Sequence, residues 1–206
     1  TSDWHLGQRF YHHSRESEHA QFLDWLHQQI ATQQPDALLI AGDIFDTVNP
    51  PISAQRQLYE FLAHCYRDYP ALQIIMIAGN HDSGSRIELP APLLAAMNVQ
   101  VIGRVQWQGV QPDFSQLIVP IQQRDDAGQQ QVLGWCVALP YLRAAEVTAN
   151  GLSPDVNVAI ATLHEQLLAQ VAAQKTAEQA VVLMSHAHLS GGEMSDSVRN
   201  VVIGTL

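Results

Sequence analysis

Ala37-Leu38-Leu39-Ile40-Ala41-Gly42-Asp43-Ile44-Phe45-Asp46 and Ile74-Ile75-Met76-Ile77-Ala78-Gly79-Asn80-His81-Asp82 decide the fold of this chain. Each opens on an uninterrupted apolar run and closes on a glycine followed by oxygen and imidazole ligands. A short, continuously apolar run is the pattern of a strand covered on both faces, as in parallel sheets. Gly42 lets the backbone turn sharply, and Asp43 then projects into the crevice beyond the sheet, where ligands of open α/β sheets gather. Read alone, Gly42-Asp43 serves equally well as a helix-capping turn, and Gly79-Asn80 as an ordinary polar turn. Two strands ending the same way favour a shared site.

Outward from these runs, Val181-Val182-Leu183-Met184 reads as a third buried strand. Helices are expected over Glu16–Gln33, with Phe22, Leu23, Leu26 and Ile30 on one face, over Ser53–Asp68, and over Val156–Gln174. Strands alternating with helices argue for α/β architecture. The middle of the chain differs. Val99–Ile102, Gln116–Val119 and Val132–Val137, separated by polar turns such as Arg124–Gly128, suggest a second set of strands packed as a second sheet. No internal repeat or linker interrupts the 206 residues, so one domain is expected.

Two further ligand sources flank this core. Asp3-Trp4-His5 places a carboxylate and an imidazole two residues apart, so both would point the same way off a strand end. Ser185-His186-Ala187-His188 closes the third apolar run, and spacing alone leaves His186 and His188 equal. His12, His13, His19, His27, His64 and His164 lie on helices or polar stretches with no strand end to aim them. Mixed carboxylate, amide and imidazole ligands suit a pair of divalent ions able to attack a phosphate ester. Serine-hydrolase and P-loop chemistry are not indicated, because neither G-x-S-x-G nor G-x-x-x-x-G-K-[ST] occurs.

Composition narrows the class. The chain is 47% hydrophobic and contains no apolar run of bilayer-spanning length. Cys65 and Cys136 sit inside apolar segments, which suggests buried thiols in a reducing, cytoplasmic compartment. With 20 acidic and 10 basic residues the net charge is −10, without the basic footprint of a stand-alone nucleic-acid binder. If the substrate is nucleic acid, the grip on its backbone falls to metals or to a partner.

The ladder D-x-H, G-D-x-x-D, G-N-H-D and a later strand-end histidine resembles the calcineurin-like metallophosphoesterases. Within them, Thr1–Gln8, Ser14–His19, Asp196–Arg199 and Ile203–Leu206 resemble bacterial DNA-nuclease subunits over nearly the whole chain. The resemblance implies that Asp3 and His5 bind a first metal, Asp43 bridges both, and Asn80 and His186 bind the second. His186 is preferred to His188 by its distance from Asp196. His81 then acts as the catalytic histidine, with Asp46 as its orienting partner. A two-sheet α/β sandwich flanked by helices is implied, with the site at the C-terminal strand edge.

The activity implied is Mn²⁺-dependent exonuclease and endonuclease cleavage of DNA, beside an SMC-like ATPase and in a homodimer. That dimer would pair helices near Ser53–Asp68, where Leu58, Tyr59, Phe61 and Leu62 offer apolar surface, with the segment after Asp82. The family pattern also includes a strand before the first motif, a final G-H-x-H and a capping region. The chain is therefore read as the core, residues 1–206, of a longer nuclease. Two other readings compete: a phosphoesterase for small esters or nucleotides, and a non-catalytic scaffold.

Overall fold

The computed structural model describes residues 1–109, 111–124, 129–149 and 153–187. Residues 125–128, where the sequence suggests a turn, His188 and the motif stretches 196–199 and 203–206 lie outside the described residues. A small hairpin, β1 (Arg9–Phe10) and β2 (His13–Ser14), precedes α1 (Glu16–Gln33), β3 (Ala37–Ala41), α2 (Ile52–Asp68) and β4 (Gln73–Ile77). Next come α3 (Gly84–Glu88), α4 (Ala91–Ala95), β5 (Val99–Ile102) and the short strands β6 (Trp107–Gln108) and β7 (Gln111–Pro112). The last group is β8 (Ile118–Arg124), β9 (Gln130–Leu139), α5 (Ala144–Ala149), α6 (Val156–Ala172) and β10 (Ala180–Ser185).

Two three-stranded sheets carry the core. The first has order β3-β4-β5, all parallel, and the second has order β10-β9-β8, with β9 parallel to β10 and antiparallel to β8. Alternation along β4 shows how they stack. Ile74 and Met76 join a cluster with Leu23, Leu26 and Ile30 of α1 and Leu58, Phe61 and Leu62 of α2. Ile75 and Ile77 turn the other way, into a cluster with Val137 and Leu139 of β9 and Leu163 and Leu167 of α6. Helices therefore cover the outer faces and β4 is buried on both sides. Each fully buried aliphatic side chain contributes roughly 1.5–3 kcal/mol through removal from water.

Four expectations from the sequence are corrected by the structure. Val99–Ile102 belongs to the first sheet and the Val181 run to the second, the reverse of their expected grouping, because long-range pairing and not composition decides membership. The Val181 run is not buried on both faces: among the described residues β10 is the outermost strand of its sheet, and Val182 and Leu183 are exposed. Residues Phe114–Gln116 form a 3-10 turn capped by the Asp113 carboxylate, so β8 starts only at Ile118. Leu58, Phe61 and Leu62 lie in the core, so they offer no face for pairing; the exposed apolar residues nearby are Ile52 and Tyr66.

Candidate metal centre

The C-terminal ends of both sheets open on one place, and residues 1–6 are laid beside it. The Ala41 N–H donates to the Thr1 carbonyl (2.8 Å), the Asp3 N–H to Gly42 (3.0 Å) and the His5 N–H to Asp43 (3.0 Å). Leu6 and Phe45 then form a parallel bridge. Asp3 and His5 are not displayed by strand alternation, as their spacing suggested. Both are kinked into the left-handed region, at φ 57° and 47°, and Asp43 beside them is at 49°. Non-glycine residues held there cost on the order of 1–3 kcal/mol each, and such strain concentrates at functional sites.

Asp43 is buried at the centre. Its Oδ1 accepts from the His81 backbone N–H (2.9 Å), while Oδ2 faces His5 Nε2 at 3.7 Å and His186 Nε2 at 3.6 Å. Two potential ligand groups result, His5–Asp43–His81 and Asp3–Asp43–His186, and Asp43 is common to both. Asn80 completes the second, with Oδ1 3.0 Å from His186 Nε2. Neither turn has room for a side chain at its glycine. A Cβ on Gly79 would sit 2.1 Å from Asp43 Oδ1, and one on Gly42, where φ is +86°, 2.5 Å from His186 Nδ1.

The outward nitrogens fix the rings. His186 Nδ1 lies 2.8 Å from the Ala41 carbonyl and His81 Nδ1 2.8 Å from the Asp46 carbonyl. A carbonyl only accepts, so both Nδ1 atoms carry protons and each neutral ring keeps its lone pair on Nε2. Asp46 thus meets His81 through its backbone. Its carboxylate lies instead 3.5 Å from His5 Nδ1, and among the described residues neither of those two buried atoms has a closer partner. That carboxylate favours the tautomer of His5 whose Nε2 faces Asp43.

Asp82, part of the G-N-H-D motif but given no role by sequence reasoning, is the clasp of the site. It is fully buried, and its carboxylate accepts from the backbone N–H groups of Ile44 (3.1 Å), Phe45 (2.9 Å) and Gly79 (2.9 Å). Burial raises its pKa, against the lowering effect of those three donors. One side chain thereby locks the Asp43 turn onto the Asn80 turn. His19, which its helical position marked as an ordinary residue, also lies close by. It is buried on α1 within the field of Asp46 and His5, and desolvation holds its pKa below the ordinary imidazole value. Tyr141 and Arg143, beyond the end of β9, stand at the rim: the Tyr141 ring is edge-on to His186 and Arg143 donates to the Asp82 carbonyl. No sequence pattern ties these two to the G-N-H-D motif, about sixty residues away.

The residues fit divalent cations. Among the described residues no Lys or Arg pairs with Asp3, Asp43, Asp46 or Asp82. With the Asn80 amide oxygen turned inward, His186 Nε2 and Asn80 Oδ1 are two acceptors 3.0 Å apart in the neutral state, an arrangement suited to a cation between them. Carboxylate, amide oxygen and imidazole together are the donor set of hard-to-borderline divalent metals.

Comparison with known proteins agrees with this chemistry. The family model for calcineurin-like phosphoesterases matches residues 1–201. The chain is 37% identical over 210 residues to the SbcD component of nuclease SbcCD from Rhodobacter capsulatus, covering 99% of the chain and 51% of that protein. It is 34% identical to the corresponding nuclease component of Escherichia coli K12 (100% and 50%) and 31% identical to that of Bacillus subtilis (99% and 50%). The chain spans about half the length of the curated relatives it matches. With its motif order, its strand-end carboxylates and imidazoles, and a match along nearly its whole length, the chain belongs to the calcineurin-like phosphoesterase family.

Proposed function

We propose that this chain is the catalytic core of a Mn²⁺-dependent DNA nuclease that hydrolyses phosphodiester bonds at a centre of two divalent ions. The observation that carries the reading is the sharing of buried Asp43 by two potential ligand groups, since a single carboxylate can span two ions roughly 3.5–4 Å apart. Asp3 and His5, with Oδ1 and Nε2 3.9 Å apart, would hold one ion, Asn80 and His186 the other, and Asp43 both; this division differs from the two close groupings, which set Asp3 with His186 and His5 with His81. When bound, such ions neutralise charge developing on phosphate and lower the pKa of water. His81, with its Nδ1–H committed to the Asp46 carbonyl, keeps only Nε2 for the substrate and, when doubly protonated, would give the Nε2 proton to the leaving oxygen.

Likeness to the SbcCD nuclease components supports DNA as substrate, with exonuclease and endonuclease action on duplex ends and hairpins in repair, recombination and replication. It likewise supports an SbcC-like SMC ATPase partner, which would supply the backbone grip that a chain of net charge −10 lacks. A homodimer would use the segment after Asp82, where Leu89 and Leu93 are 81% and 75% exposed. Among the described residues no helix is long and apolar enough to cross a membrane. A cytoplasmic setting would keep the buried thiols of Cys65 and Cys136 reduced. Assays of the intact protein with Mn²⁺, on hairpin DNA and on a chromogenic phosphodiester, test the reading. DNA cleavage that disappears in Asp43→Asn is expected; cleavage of small esters alone, or none at all, overturns it.

A further inference from the structure

Tyr141-Leu142-Arg143 leaves the end of β9 and is pinned to the end of β4, where the Tyr141 N–H donates to the Ala78 carbonyl (2.9 Å). The Tyr141 ring stands edge-on to His186 with centroids 6.2 Å apart, and the Arg143 guanidinium lies 5.9 Å from the centre of that ring. Arg143 Nη2 also donates to the Asp82 carbonyl at 3.4 Å. The cation is thereby held at two points, the Tyr141 ring that faces His186 and the Asp82 carbonyl. Several other arginines are spoken for: Arg67 pairs with Asp68, Arg104 with Glu88, and Arg15 bonds Gln8. Arg143 has no carboxylate within ion-pair distance among the described residues, and that one long bond engages a single donor of the five a guanidinium carries.

An exposed arginine at the rim of a site rich in carboxylates, yet in no ion pair among the described residues, is left for an incoming anion. We propose that Arg143 is a substrate-binding residue, its remaining N–H fork taking the two non-bridging oxygens of a phosphodiester at the Asp43 centre. The Tyr141 ring, 5.9 Å from the guanidinium carbon, adds a cation–π contact that favours this position. A planar fork suits this task because two parallel N–H groups match two phosphate oxygens, which an ammonium cannot do. The inference rests on the phosphodiesterase reading above and adds to it a residue that no motif contains.

The test uses the intact protein loaded with Mn²⁺, as wild type, Arg143→Ala and Arg143→Lys. Hydrolysis of bis(4-nitrophenyl) phosphate, equilibrium binding of inorganic phosphate and Mn²⁺ calorimetry are compared. Loss of one charge-assisted contact predicts a KM increase of about 10- to 100-fold in Arg143→Ala, with a smaller change in kcat. Arg143→Lys should recover part of that loss, and phosphate affinity should fall in parallel while Mn²⁺ binding stays as in wild type. A KM and phosphate affinity within about twofold of wild type in Arg143→Ala would overturn the proposal, as would a loss that follows loss of Mn²⁺. Should wild type bind phosphate in an Arg143-dependent manner yet hydrolyse no diester, the residue's role stands and the phosphodiesterase reading falls.

Discussion

The two edges of the first sheet are built from similar parts and do opposite things. At the N-terminal edge a cleft of about 710 Å³ is lined by Gln34, Asp36, Tyr66, Tyr69, Gln73 and Asn98 among others. It is roomy, but its lining holds one carboxylate and no histidine. At the C-terminal edge Asp3, His5, Asp43, Asn80, His81 and His186 converge with glycines pressed against them. Both edges contain left-handed residues. At the cleft, Gln34 ends α1 with its N–H on the Ile30 carbonyl, and Asn98 bonds the Leu72 carbonyl through its amide. Helix ends and asparagines adopt this conformation routinely. At the other edge the left-handed residues are Asp3, His5 and Asp43, types that also tolerate this conformation, and all three are candidate ligands. Converging donors, and not cavity size, mark the candidate functional edge.

Substitutions on the two sides should separate activity from stability. The largest effect is expected from Asp43→Asn, which removes the carboxylate shared by both ligand groups: hydrolysis should fall on the order of 10³-fold or more, with the fold retained by circular dichroism. Activity near wild type at ordinary Mn²⁺ would refute its central place. For His81→Ala, a loss of about 10²–10⁴-fold with metal affinity preserved is predicted, because a positioned proton donor contributes in that range. Metal loss matching the activity loss would make His81 a ligand instead. Gly79→Ala sharpens the contrast: its Cβ must displace the Asp43 carboxylate or the turn, so metal affinity should drop and stability fall by about 1–3 kcal/mol. Unchanged Mn²⁺ binding in that variant would mean that the close approach is dispensable. Smallest of all, Asn98→Ala at the cleft should cost about 1–2 kcal/mol in denaturant melts and leave turnover alone. A turnover defect there would link the cleft to catalysis.

The same contrast explains what is legible in the sequence. Strands β3 and β4 and helix α1 announce themselves through local periodicity, because their buried faces are set by neighbours in the chain. The motif residues after β3 and β4 follow directly, since a strand end fixes where its next residues emerge. Sheet membership does not follow: β5 and β10 exchange places relative to expectation because pairing partners lie far away in sequence. Helix periodicity marks Leu58, Phe61 and Leu62 as one face but does not say whether core or partner covers it. The motif resemblance ties Asp46 to His81 as an orienting partner, and it is the Asp46 backbone carbonyl that makes that contact while the side chain meets His5. Backbone acceptors leave no trace in residue identity. Asp82 and Arg143 escape sequence reasoning for a related reason, as their roles include bonds to main-chain groups at Ile44, Gly79 and Asp82 itself.

Calorimetric titration of Mn²⁺ into the intact protein, with Asp3→Asn, His186→Gln and Asp43→Asn beside wild type, tests the shared-carboxylate account most directly. Two ions per chain are predicted for wild type, one weakened site for each of the outer variants, and weakening of both sites for Asp43→Asn. An Asp43→Asn protein that loses only one site, or neither, would contradict the account.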